Sequence, residues 1–164
     1  MQVQFITSAP QQTAELGQCF APWARGGDIF ILTGDLGGGK TTFVAGLAKG
    51  LGVEETVSSP SFTLINEYDI GDLKLIHADL YRLAGIEDIE GIGMEHYLYQ
   101  PHNIVCIEWG EKVGTCMPSE YMTISFNYTE GEEYGRTIVF KSCSDYNDKK
   151  LIEFNKMASR KGLL

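Results

Sequence analysis

The chain has 164 residues, 43% hydrophobic and 21% charged, which is typical of a globular protein and suits one domain spanning residues 1–164. Its 13 Lys and Arg residues against 22 Asp and Glu residues give a net charge of −9, which disfavours a protein that grips a nucleic-acid backbone by itself. If RNA takes part in the function, we expect a partner protein to hold it.

The composition also bears on location and on redox chemistry. Nothing at the amino terminus resembles a signal peptide, and no apolar run approaches the roughly 18 residues of a membrane span. We therefore expect a cytoplasmic protein with no membrane partner. The four cysteines include no C-x-x-C pair, so neither a zinc site nor a redox motif is indicated, and Cys106 is expected in the core.

The amino-terminal segment predicts a strand followed by a helix. Residues 3–7 suit a short strand, while Ser8 and Pro10 suit the N-cap and the first turn of the helix. Its apolar face is expected to consist of Leu16, Phe20 and Trp23. The pair Gly26-Gly27 is expected to end this helix.

Residues 34–42, Gly-Asp-Leu-Gly-Gly-Gly-Lys-Thr-Thr, match the pattern G-x-x-x-x-G-K-[ST]. The preceding residues 29–32 are all apolar, as in a strand buried on both faces. Apolar side chains then recur four apart at Phe43, Leu47 and Leu51, as on one side of a helix. Because the pattern lies between a strand and a helix, we expect a nucleoside-triphosphate site here.

The residue types of this loop predict how phosphates are bound. Glycines let the backbone approach a ligand closely, and N–H groups at the amino terminus of a helix face the anion. Lys40 adds a charge that reaches the β- and γ-phosphates, and the Thr41 hydroxyl is placed to ligate Mg²⁺.

The middle of the chain predicts a hairpin and a helical segment. Residues 57–63 form a hydroxyl-rich loop that enters a strand through Tyr68. After a turn at residues 70–72, a second strand is expected at residues 74–81. Residues 84–98 have helical apolar spacing that three glycines interrupt.

The remaining elements complete the predicted fold. Residues 104–107 are a second fully apolar run, and residues 121–128 and 136–141 predict another hairpin. A closing helix begins at Asp145, and its apolar face serves packing rather than a partner. That face carries Leu151, Phe154 and Met157. Together the elements predict an α/β fold of the P-loop NTPase type, with a mixed β-sheet flanked by helices and with β-hairpins.

A phosphoryl-transfer site needs a second anchor for the metal and a group that orients the attacking water. Glu108 follows the apolar run 104–107, and strand ends of parallel sheets converge on the ligand crevice. It is thus placed to hold Mg²⁺ directly or through water, although a surface glutamate is the alternative. Trp109 has two interpretations. It is an aromatic residue of the core or the rim, or it contacts the nucleotide or a partner.

A second polar group is expected near the end of the preceding strand. Strand alternation puts His77, Asp79 and Tyr81 on one face, where Asp79 is placed to accept a hydrogen bond from water or to support the metal. An exposed polar face of a hairpin explains the pattern equally well. The hydroxyl groups of Ser58, Ser59, Ser61 and Thr63 suit either a switch-like segment near the γ-phosphate or ordinary turn chemistry.

Three functions fit a phosphate loop. A GTPase is disfavoured because residues 155–158, Asn-Lys-Met-Ala, lack the aspartate of N-K-x-D, and the D-x-x-G match at residues 88–91 does not end a buried strand. A small-molecule kinase usually needs a lid with arginines, and after Lys40 the chain has few. They are Arg82, Arg136 and Arg160. An ATPase whose hydrolysis switches a partner is favoured, and the kinase is the alternative.

Four motifs in this order resemble the TsaE family. They are residues 34–42, residues 59–64 (Ser-Pro-Ser-Phe-Thr-Leu), residues 77–83 (His-Ala-Asp-Leu-Tyr-Arg-Leu) and residues 107–109 (Ile-Glu-Trp). The resemblance extends from about residue 5 to residue 140. It implies a bacterial ATPase required for threonylcarbamoyladenosine on tRNA, which works with TsaB and TsaD. In that family TsaB and TsaD handle the tRNA, so this chain is expected to contact it only indirectly.

The resemblance also implies roles for particular residues. The phosphates of ATP would be held by Lys40 and by the loop amides of Asp35, Gly37, Gly38, Gly39, Thr41 and Thr42. Thr41 and Glu108 would hold Mg²⁺, Asp79 would be the hydrolytic residue, and Trp109 would lie near the nucleotide. Gly38 departs from the family, because many members carry alanine there.

Overall fold

The computed structural model describes residues 1–160, apart from the side chains of residues 115 and 116. Within these residues, seven strands form one sheet that α-helices flank. The strands are β1 (Gln2–Thr7), β2 (Ile29–Gly34), β3 (Ile65–Ile70), β4 (Leu73–Asp79), β5 (Asn103–Glu108), β6 (Met122–Tyr128) and β7 (Arg136–Ser142). The helices are α1 (Pro10–Phe20), α2 (Lys40–Leu51), α3 (Ile86–Gly91), α4 (Met94–Leu98) and α5 (Asp145–Arg160). The predicted α/β fold with a mixed sheet is confirmed.

The order of strands across the sheet is β1-β7-β6-β2-β5-β4-β3. The central strands β4, β5, β2 and β6 run parallel to their neighbours in this group. Both predicted hairpins are present, because β3 pairs antiparallel with β4 and β6 pairs antiparallel with β7. As a result, the carboxyl ends of four parallel strands meet at one edge of the sheet, where a ligand crevice is expected.

Each face of the sheet is covered by its own hydrophobic cluster. Helices α1, α2 and α5 cover one face, where Phe20 lies 4.9 Å from Phe154 between ring centres. Helices α3 and α4 cover the other face and bury Met94 against it. Residues 29–32 of β2 and 104–107 of β5 are all apolar because alternate side chains enter opposite clusters, as Phe30 and Ile31 do. Cys106 is fully buried, as expected, whereas the side chain of Cys116 lies outside the described part of the chain.

Helix α2 is held against α1 at unusually close range. A Cβ atom added to Gly46 would lie 1.9 Å from the carbonyl oxygen of Ala14, and one added to Gly17 would lie 2.2 Å from that of Phe43. No side chain fits at such distances, so glycine is required on both helices for their backbones to approach. This contact fixes the position of α2, whose first turn carries Lys40 and Thr41.

A buried ion pair fastens α5 to the start of β2. The Lys150 ammonium donates to the Asp28 carboxylate, and the backbone N–H of Arg25 donates to the same oxygen at 2.7 Å. Burial raises the pKa of the Asp28 carboxyl above its ordinary value, although the nearby Lys150 charge acts in the opposite direction. The buried face of α5 includes Leu151 and Phe154, so its predicted packing role is confirmed.

Both ends of α1 differ from the sequence predictions. Ser8 is not the N-cap of α1: Ala9 occupies that position, and the Ser8 N–H donates to the Gln12 side chain instead. The helix ends at Phe20, before the predicted glycine pair, because a 3₁₀ helix containing Pro22 follows and proline cannot continue the α-helical hydrogen bonding.

Residues 84–98 form two short helices rather than one, because Gly93 between them has a φ of 69°. The strand predicted at residues 74–81 ends at Asp79, so Tyr81 lies beyond it and half of its surface is exposed. None of the helices described for residues 1–160 is long and apolar enough to cross a membrane.

The close contact of α1 and α2 predicts that Gly46→Ala destabilises the protein. Because the added methyl group meets backbone rather than a movable side chain, we expect the free energy of unfolding to fall by about 1–3 kcal/mol. Gly91→Ala, at the end of α3 with nothing within 4 Å of the added Cβ, is the control and should change it by about 0.5 kcal/mol or less. Urea unfolding of both variants measures the difference, and equal stability would contradict the packing described.

Candidate nucleotide site

A cavity of about 170 Å³ opens at the edge of the sheet where the parallel strands end. The loop after β2 forms its floor, and the ends of β4 and β5 form one side. Its lining residues are Leu36, Gly37, Gly38, Gly39, Lys40, Thr41, Thr42, Ser59, Ser61, Asp79, Glu108 and Trp109. The cavity thus brings together nearly all of the site residues predicted from the sequence. Asp35, which is not among the lining residues, lies in the same loop and has backbone contacts there.

The glycine-rich loop leads directly into the amino terminus of α2. Gly39 is the N-cap of the helix and has a φ of 103°, a conformation that other residues rarely adopt. The loop is also held from the β6–β7 side. The Tyr128 hydroxyl donates to the Leu36 carbonyl at 2.9 Å, and the Arg136 guanidinium donates to the Gly37 carbonyl at 3.3 Å. The N–H groups of α2 that lack a partner within the helix therefore face a well-defined cavity, which suits an anion.

Lys40 is nearly fully buried, with 4% of its surface exposed. Its ammonium donates to the carbonyls of Gly34 and Asp35, each at 2.7 Å, and lies 4.4 Å from the centre of the Trp109 ring. Burial lowers the pKa of Lys40 below its ordinary value, while the negative charges of Glu108 and other carboxylates act against this shift. The lysine is thus a fixed positive charge inside the loop rather than a mobile surface residue.

Glu108 connects three elements through a single carboxylate oxygen. The Thr41 hydroxyl donates to Oε1 of Glu108 at 2.6 Å, and Nε2 of His77 lies 2.8 Å from the same atom. Glu108 is 4% exposed, so the alternative of a surface glutamate is excluded. A hydroxyl and a carboxylate side by side are oxygen ligands of the kind that Mg²⁺ prefers, so these two residues fit the predicted metal.

Asp79 lies beside Glu108, because these two residues are direct partners in the β4–β5 register. Its Oδ1 accepts a hydrogen bond from the Tyr81 N–H at 2.9 Å, and its Oδ2 accepts one from the Ser61 hydroxyl at 2.5 Å. The Ser59 hydroxyl is 3.4 Å from Oδ2. Since Asp79 is 4% exposed, the alternative of an exposed hairpin face is wrong.

The hydroxyl groups of the segment before β3 divide into two groups. Ser59 and Ser61 line the cavity and contact Asp79. Thr63 instead donates to the Asn66 side chain at 2.8 Å, and the Ser58 carbonyl accepts from that same side chain at 3.4 Å. These last two residues serve the turn and do not enter the cavity.

Trp109 follows β5 in a left-handed conformation, with a φ of 60° that is uncommon for a bulky residue. Its ring covers the Lys40 ammonium on one side and contacts the Tyr81 ring, 5.2 Å away between centres. Trp109 therefore lines the cavity and also packs against the cluster that α3 and α4 cover, which fits a rim aromatic as well as a residue that contacts the nucleotide. Trp109 and Tyr81 thus form an aromatic rim beside the buried charge of Lys40.

Sequence reasoning assigned no role to two residues that organise this edge. His77 was placed beside Asp79 but without a function, although it contacts Glu108. The sequence gives no indication of the role of Lys112. Its ammonium donates to the carbonyls of Leu80, Tyr81 and Leu83 at 3.1, 2.6 and 2.9 Å, and so holds the segment after β4. A lysine just beyond a strand carries no periodic signal, whereas the histidine is identifiable as a polar residue between the apolar residues Ile76 and Ala78.

Comparison with known proteins gives one consistent family. The family model described as threonylcarbamoyl adenosine biosynthesis protein TsaE matches residues 7–138. The tRNA threonylcarbamoyladenosine biosynthesis protein TsaE of Bacillus subtilis is 36% identical over 139 residues, covering 85% of each chain. That of Treponema pallidum is 42% identical over 120 residues, covering 73% of this chain and 87% of the relative. The crystal structure of Bacillus subtilis YdiB superposes with a TM-score of 0.79 at 30% identity, over 96% of both chains.

The charges around Lys40 predict the effect of removing Glu108. Glu108 is the strongest of the negative charges that raise the pKa of Lys40, so Glu108→Gln should lower that pKa further. Glu111 acts less strongly, and the control Glu111→Gln should give a smaller decrease. The chemical shifts of the Lys40 side chain, followed by NMR against pH without metal or nucleotide, measure both changes. An unchanged or higher pKa in Glu108→Gln would show that this electrostatic description is wrong.

Proposed function

The chain belongs to the TsaE family of threonylcarbamoyl adenosine biosynthesis proteins, and from this premise we propose that it binds and hydrolyses Mg-ATP. Hydrolysis would support the threonylcarbamoyladenosine modification of tRNA. One observation carries the proposal: the phosphate loop, the Thr41–Glu108 pair and the buried carboxylate of Asp79 line the same cavity.

Nucleotide binding would rest on the loop and on the start of α2. Backbone N–H groups from Asp35 to Thr42 would surround the phosphate oxygens, and the positive end of α2 would favour their charge. Lys40 already lies within this loop as a fixed ammonium, so its position needs little rearrangement. The face of Trp109, which lines the cavity beside Lys40, would contact the nucleotide.

Thr41 and Glu108 would hold Mg²⁺. The bound ion would neutralise negative charge that develops on the phosphate oxygens as the terminal phosphoryl group is transferred. Glu108 is well suited to this position because it ends a buried strand and its carboxylate is fixed by two hydrogen-bond donors, Thr41 and His77. An exposed and mobile carboxylate would have to be ordered when the ion binds.

Asp79 would orient the attacking water. Its carboxylate is held by the Tyr81 N–H on one oxygen and by the Ser61 hydroxyl on the other, and the side chain lines the cavity. A water that replaced the Ser61 hydroxyl would donate its hydrogen bond to the same oxygen. The carboxylate that orients the water would thus lie beside Glu108, its partner in the β4–β5 register.

We propose that TsaB and TsaD are the partners, and that they rather than this acidic chain hold the tRNA. The mouth of the cavity has the exposed apolar side chains that a protein partner would cover. Phe62 is 84% exposed and Leu36 is 69% exposed, on two different segments that border the cavity. Phe62 directly follows Ser61, so a partner that binds Phe62 would also constrain the hydroxyl that contacts Asp79.

Asp79→Ala is expected to abolish hydrolysis while leaving the phosphate loop intact. A positioned base or water-orienting carboxylate contributes about 10²-fold or more to the rate, so kcat should fall by at least that factor. Lys40→Ala should instead weaken ATP binding. The control is Asp72→Ala, because Asp72 lies in the exposed β3–β4 turn. Phosphate release is measured with Mg²⁺, with and without TsaB and TsaD. Unchanged hydrolysis in Asp79→Ala would remove its catalytic assignment, and transfer of phosphate to a small molecule would favour a kinase.

Phe62→Ser tests the partner surface. Loss of an exposed aromatic that a partner buries should weaken binding of the TsaB–TsaD pair by about tenfold or more. The control is Tyr99→Ser, because Tyr99 is also exposed, at 64%, but precedes β5 at the opposite edge of the sheet. Calorimetric titration of each variant with the pair measures the affinities. Equal affinities of the two variants would place the partner elsewhere.

A further inference from the structure

His77 is a buried polar residue for which the proposed function has no use so far. None of its surface is exposed, and it lies in β4 between Asn66 of β3 and Cys106 of β5. Its Nδ1 atom is buried and has no hydrogen-bond partner within the described residues. An unpaired polar atom in the core opposes folding, and a leucine or phenylalanine would fill the space without that penalty. The imidazole must therefore contribute through its other nitrogen.

That other nitrogen contacts Glu108. Nε2 of His77 lies 2.8 Å from Oε1 of Glu108. An ionised carboxylate only accepts hydrogen bonds, so Nε2 carries the hydrogen and donates it. The contact joins adjacent parallel strands, and it is buried on both sides because His77 and Glu108 are 0% and 4% exposed.

The two hydrogen bonds to Glu108 are of different kinds. Thr41 lies at the start of α2 and belongs to the phosphate loop, and its hydroxyl would itself be a ligand of Mg²⁺. His77 lies within the sheet, where neighbouring strands fix its backbone on both sides. Both donors share Oε1, and Oε2 accepts no hydrogen bond from the described residues. The histidine thus holds one oxygen and leaves the other for a ligand in the cavity.

We propose that His77 is a positioning residue that orients the Glu108 carboxylate towards the magnesium of Mg-ATP. This inference rests on the proposed function. It identifies His77 as a residue that determines the metal dependence of that site. Partners of this kind, which hold a metal ligand without touching the metal, often change metal affinity by about 10–100-fold when they are lost. Phosphate binding by the loop amides does not involve His77, so nucleotide binding without metal should not depend on it.

A matched pair of amide substitutions tests the proposal. In His77→Gln the amide nitrogen reaches about as far as Nε2 and can donate to Glu108, whereas in His77→Asn it reaches only as far as Nδ1. Both variants are polar and uncharged, so they differ mainly in this hydrogen bond. His77→Phe, which keeps a ring but has no donor, is the second variant without the bond if His77→Asn does not fold, as judged by circular dichroism.

Two quantities are measured for each variant. The first is the affinity for ADP, determined by calorimetry with excess Mg²⁺ and again with EDTA. The second is the Mg²⁺ concentration that gives half-maximal ATP hydrolysis. We expect His77→Asn and His77→Phe to need about tenfold more Mg²⁺ and to lose most of the gain in ADP affinity that Mg²⁺ provides. Their affinities in EDTA should stay within about twofold of the natural protein, and His77→Gln should restore most of the Mg²⁺ dependence.

The outcomes separate this inference from the proposed function. If the natural protein shows Mg²⁺-dependent binding and the variants without the donor show the same dependence, His77 is a packing residue and the inference is wrong. Equal losses in His77→Gln and His77→Asn would also overturn it, because the hydrogen bond would not be the cause. If the natural protein binds no nucleotide with or without Mg²⁺, the proposed function itself fails.

Discussion

The carboxylate of Glu108 is the point on which the candidate site depends. One of its oxygens accepts hydrogen bonds from Thr41 at the start of α2 and from His77 in β4, while Glu108 itself ends β5. Three elements that are far apart in the chain are therefore fixed relative to one another through a single buried atom. Each of these bonds involves an ionised acceptor in a poorly hydrated place, where hydrogen bonds are strong and a lost partner is costly.

The rest of the fold brings these elements into register. Parallel pairing sets Asp79 beside Glu108 and leaves both carboxylates at the edge of the sheet where the glycine-rich loop begins. On one face, the close approach of α1 and α2 at Gly17 and Gly46 determines where the first turn of α2 lies. The site is therefore a product of sheet topology and of one tight helix contact.

Sequence reasoning predicted the parts of the structure that local pattern controls. Periodicity and turn residues predict the two apolar strands, both hairpins, the strand–loop–helix context of the phosphate loop and the strand-end position of Glu108. The strand predicted through residue 81 instead ends at Asp79. The contacts that depend on several distant segments were not predictable. The buried pair of Asp28 and Lys150 joins residues 122 positions apart, and no local pattern indicates it.

The same limit applies within the site. Periodicity placed His77 and Asp79 on one face of a strand, but only the tertiary structure shows that this face is buried against Glu108. The N-cap of α1 was missed for a related reason. Ser8 has the right residue type for a cap, yet the N–H groups of Gln12 and Thr13 donate to the carbonyl of Ala9, so the helix begins one residue later than a cap at Ser8 would require.

The tether between the glycine-rich loop and the β6–β7 hairpin has a further consequence. Tyr128 and Arg136 donate to the carbonyls of Leu36 and Gly37, so the hairpin restrains this part of the loop in the folded protein. The conformational entropy that such a loop would lose on binding a ligand is therefore already lost in the folded protein. More of the contact energy is then available as affinity. The tether also links the loop mechanically to the hairpin, since a displacement of one would pull on the other.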